Sequence, residues 1–288
     1  METGRFTIEQ LSEGFFELFR DGSFVKMGPS RIENLPDDPS LGVYSSAIGI
    51  DPVLISDGVN NIVADPGLGW GLDHKSSYQD TSNIITNLDI FGIQPRDVNY
   101  VILTHLHFDH AAGSTFVDPN SATKATFPNA RYLVQKLEWD YAVQRQIEKD
   151  DDTPGANYKL DELYKLAADN QLEFIEDGNF ELLKGVNLIR TGGHTPGHQV
   201  VQVSDSGETA YFLGDLIPTE HHLNHYAMKV IDYDPVQAKK VKTLFLRKAL
   251  KENARLYFYH SLFNKTGLLA KDKNKNYVLI DDRQKRLS

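Results

Sequence analysis

The sequence contains no cysteine. Disulfides, thiolate-held zinc, iron–sulfur clusters and cysteine nucleophiles are therefore excluded. It also lacks any apolar run near the roughly 18 residues that a membrane-spanning helix needs. The N-terminus, METGRFTIEQLSEGFFELFRDG, carries charges every few residues and shows no apolar stretch ahead of a small-residue cleavage site, so no export signal is read there. The expected location is the cytoplasm, with no membrane partner. Positive charge is in deficit: 30 Lys and Arg stand against 40 Asp and Glu, a net charge of −10. That balance disfavours a protein that captures nucleic acid through its phosphates. Repeats, low-complexity tracts and linkers rich in Gly, Ser or Pro are also missing. Apolar residues make up 40% of the 288 and charged residues 24%, ordinary values for a chain with a real core. One domain spanning residues 1–288 is the expectation.

Histidine is what the chain has instead. Ten are present, at 74, 105, 107, 110, 194, 198, 221, 222, 225 and 260, and most are clustered. The segments around them read as an α/β fold. Short β-prone runs occupy 15–19, 45–50, 53–56 and 61–65, and the turn residues 57–61 make a hairpin of the last two. A helix is predicted over 80–91, closed by Gly92. The apolar run 99–104 reads as a buried strand. A strand at 131–135 leads into a helix near 136–147, then a polar loop at 148–158 and a short helix at 160–168. Strands follow at 186–191, 199–203 and 209–213. Asp234 and Pro235 predict a helix start, with an amphipathic face to about Glu252, and 255–260 reads as a last strand. Two packed sheets with helices outside are implied.

The strand at 99–104 runs into His105-Leu106-His107-Phe108-Asp109-His110. Four side chains able to ligate a metal within six residues, at the end of a strand, are hard to explain structurally. Imidazole and carboxylate without thiolate suit zinc, manganese, iron or cobalt. This run resembles the H-x-H-x-D-H signature of the metallo-β-lactamase superfamily of hydrolases. The resemblance implies three more ligands downstream, each after a strand. His194 in GGHTPGH, Asp215 in FLGD and His260 in RLYFYH stand there, at intervals of 84, 21 and 45 residues counted from His110.

The resemblance implies an αββα sandwich of two mixed sheets with outer helices. It implies two divalent metal ions per chain, zinc in the first place, with Mn, Fe or Co as alternatives. His105, His107 and His194 would hold one ion, Asp109, His110 and His260 the other, and Asp215 both. A hydroxide shared by the ions would be the nucleophile, and Asp109 the catalytic proton carrier. Asp65 reads equally as a residue orienting a ligand histidine or as the start of an Asp-Pro-Gly turn. His198 reads as a loop stabiliser. Of His221, His222 and His225, at most one is expected near substrate, and His74 is expected in solvent. Phe108 and Trp139 are candidate pocket residues, with core packing the default.

Among branches of the superfamily, glyoxalase II-type, nuclease, flavodiiron and antibiotic-degrading enzymes are disfavoured by the short segment after His260, the acidic charge, the length and the lack of an export signal. THLHFDHAAG, GGHTPGH and GDLIPTEHHL are most similar to the YtnP-type quorum-quenching lactonases and the methyl-parathion-hydrolase-like group. The expected function is opening of a lactone of the N-acyl-homoserine type, or cleavage of a carboxylic ester. An organophosphate triesterase or arylesterase on the same ligands is the alternative, and a non-enzymatic metal scaffold is disfavoured. The tyrosine that orients substrate in related lactonases is replaced by Pro218, with Tyr226 a candidate substitute. A small lactone or ester is the expected partner, with at most a second copy of the chain as a homodimer.

Overall fold

A computed structural model describes residues 1–19, 22–28, 32–33, 45–74, 82–148, 158–224, 227, 229 and 231–280. Two seven-stranded sheets form its centre. One runs in the order Glu2–Thr3, Phe6–Gln10, Val53–Ser56, Asn61–Ala64, Tyr100–Ile102, Arg131–Gln135, Leu172–Ile175. The other runs Asn179–Leu183, Val186–Arg190, Gln199–Asp205, Glu208–Phe212, Arg255–Tyr257, Thr266–Lys271, Tyr277–Ile280. Both are mixed. Asn61–Ala64, Tyr100–Ile102, Arg131–Gln135 and Leu172–Ile175 pair in parallel, as do Glu208–Phe212 and Arg255–Tyr257. The hairpin over 57–61 is present, with Val53 paired to Ala64.

Three apolar layers explain why the strands read as continuous hydrophobic runs. Ile55, Ile62, Ala64, Ile102 and Leu133 of the first sheet meet Leu188, Val201, Val203 and Phe212 of the second. Their alternate neighbours Leu54, Val63, Val101 and Val134 face outward, against Ile84, Leu88, Ala142 and Leu163 of the helices. On the far side Val200, Tyr211 and Leu256 pack under Phe245, Leu246 and Ala249 of the helix Pro235–Lys251. A strand buried on both faces has no polar alternate positions to keep. The result is the αββα sandwich.

Element ends differ from the sequence reading in instructive ways. The helix predicted over 80–91 is Ile84–Ile90, because the Asn83 side chain accepts from the Ile85 and Thr86 amides and caps it. The 160–168 helix is Leu163–Ala168. The polar stretch 149–157 lies outside the described residues. A third sheet, Phe24–Lys26, Gly14–Phe19 and Ser45–Ile50, adds an antiparallel wall.

Candidate metal centre

Strand ends bring the histidines together. Beyond Ile102, the Leu103 amide donates to Leu133 O in the first sheet, while Gln199 N donates to Thr104 O from the second. His105 therefore leaves the strand where the sheets meet. A short helix, Phe108–Ala111, follows at once and turns Asp109 and His110 inward. His194 follows a turn that requires glycine: Gly193 has φ +88°, and a Cβ there would lie 2.6 Å from Ala238 backbone atoms. Gly214, at φ +46° before Asp215, is equally confined by Thr104 and His198.

The hydrogen-bond network assigns the tautomers. Thr104 donates its hydroxyl proton to the Asp65 carboxylate at 2.7 Å, so His105 Nδ1 donates to Thr104 Oγ1, 3.0 Å away. His110 Nδ1 donates to Asp65 Oδ2 at 2.8 Å, His194 Nδ1 to Asp232 Oδ1 at 3.0 Å, and His260 Nδ1 to Gly49 O at 2.9 Å. With the rings neutral, as ligation requires, the remaining Nε2 would be a lone pair. These lone pairs converge. His105 Nε2 lies 3.0 Å from His107 Nδ1, which lies 3.2 Å from His194 Nε2, and His110 Nε2 lies 3.3 Å from His260 Nε2.

Asp215 divides its carboxylate between the two groups. Oδ2 is 3.3 Å from His194 Nε2. Oδ1 is 3.3 Å from His260 Nε2 and 3.5 Å from His110 Nε2, is buried, and has no hydrogen-bond partner. Asp109 Oδ2 lies 3.5 Å from His260 Nε2 and 3.8 Å from His110 Nε2. Ligand atoms of His105, His107 and His194 lie within 4.8 Å of one another, as do those of Asp109, His110 and His260. Facing lone pairs and an orphaned carboxylate oxygen are what a cation would satisfy, so the donor set fits two divalent ions with nitrogen and oxygen ligands.

The electrostatics agree. Burial pushes His105 and His194 well down and His107 to about 4, which keeps these rings neutral as ligation requires. Burial opposes the ionised form of Asp215, yet His260 and His194 outweigh it and hold the carboxyl well below its usual range. Burial also opposes the charged form of His260, but Asp215 and Asp109 raise it to about 9. The cluster draws in positive charge.

The profile of the metallo-beta-lactamase superfamily matches residues 49–260. The chain belongs to this superfamily. An N-acyl homoserine lactonase of Bacillus thuringiensis is 29% identical over 187 residues, 62% of this chain and 63% of the relative. The chain thus spans less than two thirds of that relative's length. The crystal structure of a protein described as a probable metal-dependent hydrolase from Staphylococcus aureus superposes with a TM-score of 0.74 at 25% identity, covering 97% of this chain and 99% of that one. AidC, a dizinc quorum-quenching lactonase, superposes with a TM-score of 0.71 at 22% identity over 98% of this chain and 96% of that one, a likeness of fold.

In this metallo-β-lactamase fold Asp65 fills both roles weighed for it. It adopts φ +50° at the turn and receives His110 and Thr104. His198 accepts from the Asp215 amide at 2.9 Å and pairs with Thr191 Oγ1 at 2.7 Å, fixing the loop. His74 is exposed, as is His221, whose side chain is 86% exposed. His222 lines a cavity of about 320 Å³ that also reaches His107, Asp109, Asp215 and His260. His225 and Tyr226 lie outside the described residues. Trp139 packs on Tyr164 and Phe174, and Phe108 lies under Lys159, so neither forms the described cavity wall.

Three functional candidates escaped the sequence reading. Glu138, fully buried, accepts from Leu106 N at 3.0 Å, Thr195 Oγ1 at 2.5 Å and Gly197 N at 3.2 Å. It joins the two histidine loops. Asp232 sits behind His194, and Lys229 pairs with Asp232 Oδ1 at 3.1 Å while lining the cavity. Lys229 and Asp232 lie in a polar stretch without a motif, and Glu138 looks like an ordinary first-turn helix acid. Among the described residues no helix is long and apolar enough to cross a membrane.

Proposed function

We propose that this chain, as one domain, is a metal-dependent hydrolase that opens a neutral lactone of the N-acyl-homoserine type or cleaves a related carboxylic ester. The observation that carries the reading is the Asp215 carboxylate, one oxygen facing His194 and the other facing His110 and His260. His105, His107 and His194 would hold one ion and Asp109, His110 and His260 the other, with Asp215 serving both and zinc the first candidate. When bound, the ions would acidify a water and polarise the ester carbonyl. The similarity to N-acyl homoserine lactonases supports the substrate class.

The chain's own residues do the rest. Asp109 is the more exposed carboxylate of the cluster, 9% against 4% for Asp215, and it lines the cavity. It would take the proton of the attacking water and return it to the departing alcohol oxygen, leaving a hydroxy acid. Leu18, Phe24 and Ile48 give the cavity an apolar side suited to an acyl chain. Kinetics of metal-reconstituted protein on acyl-homoserine lactones, simple lactones, aryl esters and a phosphotriester test the reading. The lactones should give the highest kcat/KM. Preference for the phosphotriester would replace it with the triesterase alternative.

A further inference from the structure

Among the described residues, one cation other than the candidate ligands lines the cavity. Lys229 lines it alongside His107, Asp109, Asp215 and His260, and its side chain is only 10% exposed. An ammonium has three donors. Asp232 Oδ1, 3.1 Å away, faces one of them, and Nζ has no further partner among the described residues. Buried donors without acceptors are costly, so a ligand oxygen is the missing partner. The nature of that oxygen follows from charge. Asp232 already balances the ammonium, and what is unmet is hydrogen bonding rather than charge. A carbonyl oxygen, as a hydrogen-bond acceptor, meets it.

Among the other described walls, Ser46 is exposed and His222 is engaged with Thr219. Pro218 has no amide proton, and its carbonyl accepts from His260 N. Thr219 Oγ1 is engaged with His222 Nδ1 at 2.7 Å. We infer that Lys229 is a catalytic residue that donates to the carbonyl oxygen of the scissile ester, holding the acyl carbon toward the metal ligands. The bond strengthens as that oxygen gains negative charge in the transition state, so its removal acts on kcat more than on KM. This inference rests on the hydrolase reading above.

The test compares wild type with Lys229→Met and Lys229→Arg in metal-reconstituted protein. Metal content, kcat and KM on N-hexanoyl-homoserine lactone and on phenyl acetate, and calorimetric affinity for the ring-opened N-hexanoyl-homoserine are measured. Lys229→Met should keep its metal, lose about 10- to 100-fold in kcat with KM nearly unchanged, and bind the ring-opened product about tenfold more weakly. Lys229→Arg should recover part of both. Turnover within twofold of wild type overturns the inference. So does activity lost in step with metal, which would reduce Lys229 to a counterion for Asp232. A wild-type protein that cleaves phenyl acetate but no lactone would refute the lactone reading, and Lys229 would then be judged on the ester.

Discussion

Glu138 Oε2 accepts from Thr195 Oγ1 at 2.5 Å, and its other oxygen accepts from Leu106 N at 3.0 Å. One buried carboxylate thus ties the His105–His110 loop to the His194 loop. Burial pushes its pKa up, while the donors around it pull the other way. In Glu138→Gln the new amide must turn its NH₂ either on Leu106 N–H or on Gly197 N–H, where two donors face each other. The variant should lose about 1–3 kcal/mol of stability and part of its metal occupancy. Denaturant melts and metal analysis read both. An unchanged melt with full occupancy would refute the tie.

Asp65 offers a cleaner substitution. Its backbone, at φ +50°, is one that asparagine also tolerates, so Asp65→Asn changes the side chain alone. The amide cannot receive Thr104 Oγ1 and His110 Nδ1 together on one oxygen atom as Oδ2 does while still accepting from Thr104 N. His110 loses its orientation and basicity. Affinity for the ion held with Asp109 and His260 should fall about 10- to 100-fold, with the His105–His107–His194 site less affected. Stepwise metal titration separates the two. Equal weakening of both would show that Asp65 supports the whole loop instead.

In the proposed reaction Asp109 would be both ligand and proton carrier. Asp109→Asn keeps volume and one acceptor but removes the basic site. Turnover should fall by at least about 100-fold, with the circular dichroism spectrum unchanged. Parental rates on lactones and esters alike would remove Asp109 from the mechanism.

The parts of the fold that were legible in sequence share one property: their burial is local and periodic. Val53–Ser56, Asn61–Ala64 and Tyr100–Ile102 are apolar on both faces, so they announced themselves as strands. Thr266–Lys271 mixes Thr, Gly and Lys with its apolar residues, and Tyr277–Ile280 is a four-residue edge strand only half-buried along its length, and neither did. The seven candidate ligands were legible because their spacing matches a known pattern. Glu138, Asp232 and Lys229 were not, because their roles arise only when distant loops meet. Nothing in KLEWD marks Glu138 as buried until Gly197 packs on it. There, a glycine Cβ would lie 2.3 Å from the Glu138 amide nitrogen.

Glu13 gives a pH signature independent of the metal ligands. It is 1% exposed, accepts from Leu68 N at 2.8 Å, and leaves Oε1 without a partner. Burial, only partly offset by backbone donors and Lys26, raises its pKa from 4.5 to about 8. Below pH 4.5 the carboxyl is protonated whether the chain is folded or not. Between the two values the folded chain holds a proton that the unfolded chain has released, so Glu13's contribution to stability falls as pH rises, and it is lost above the folded value. The span of the shift sets that loss at a few kcal/mol. Glu13→Gln carries a permanent neutral donor at Oε1's place. It should match wild type near pH 5, exceed it at pH 8.5, and flatten the slope between. Urea melts of both proteins across that range decide it, and parallel slopes would show that Glu13 is ionised in the fold throughout.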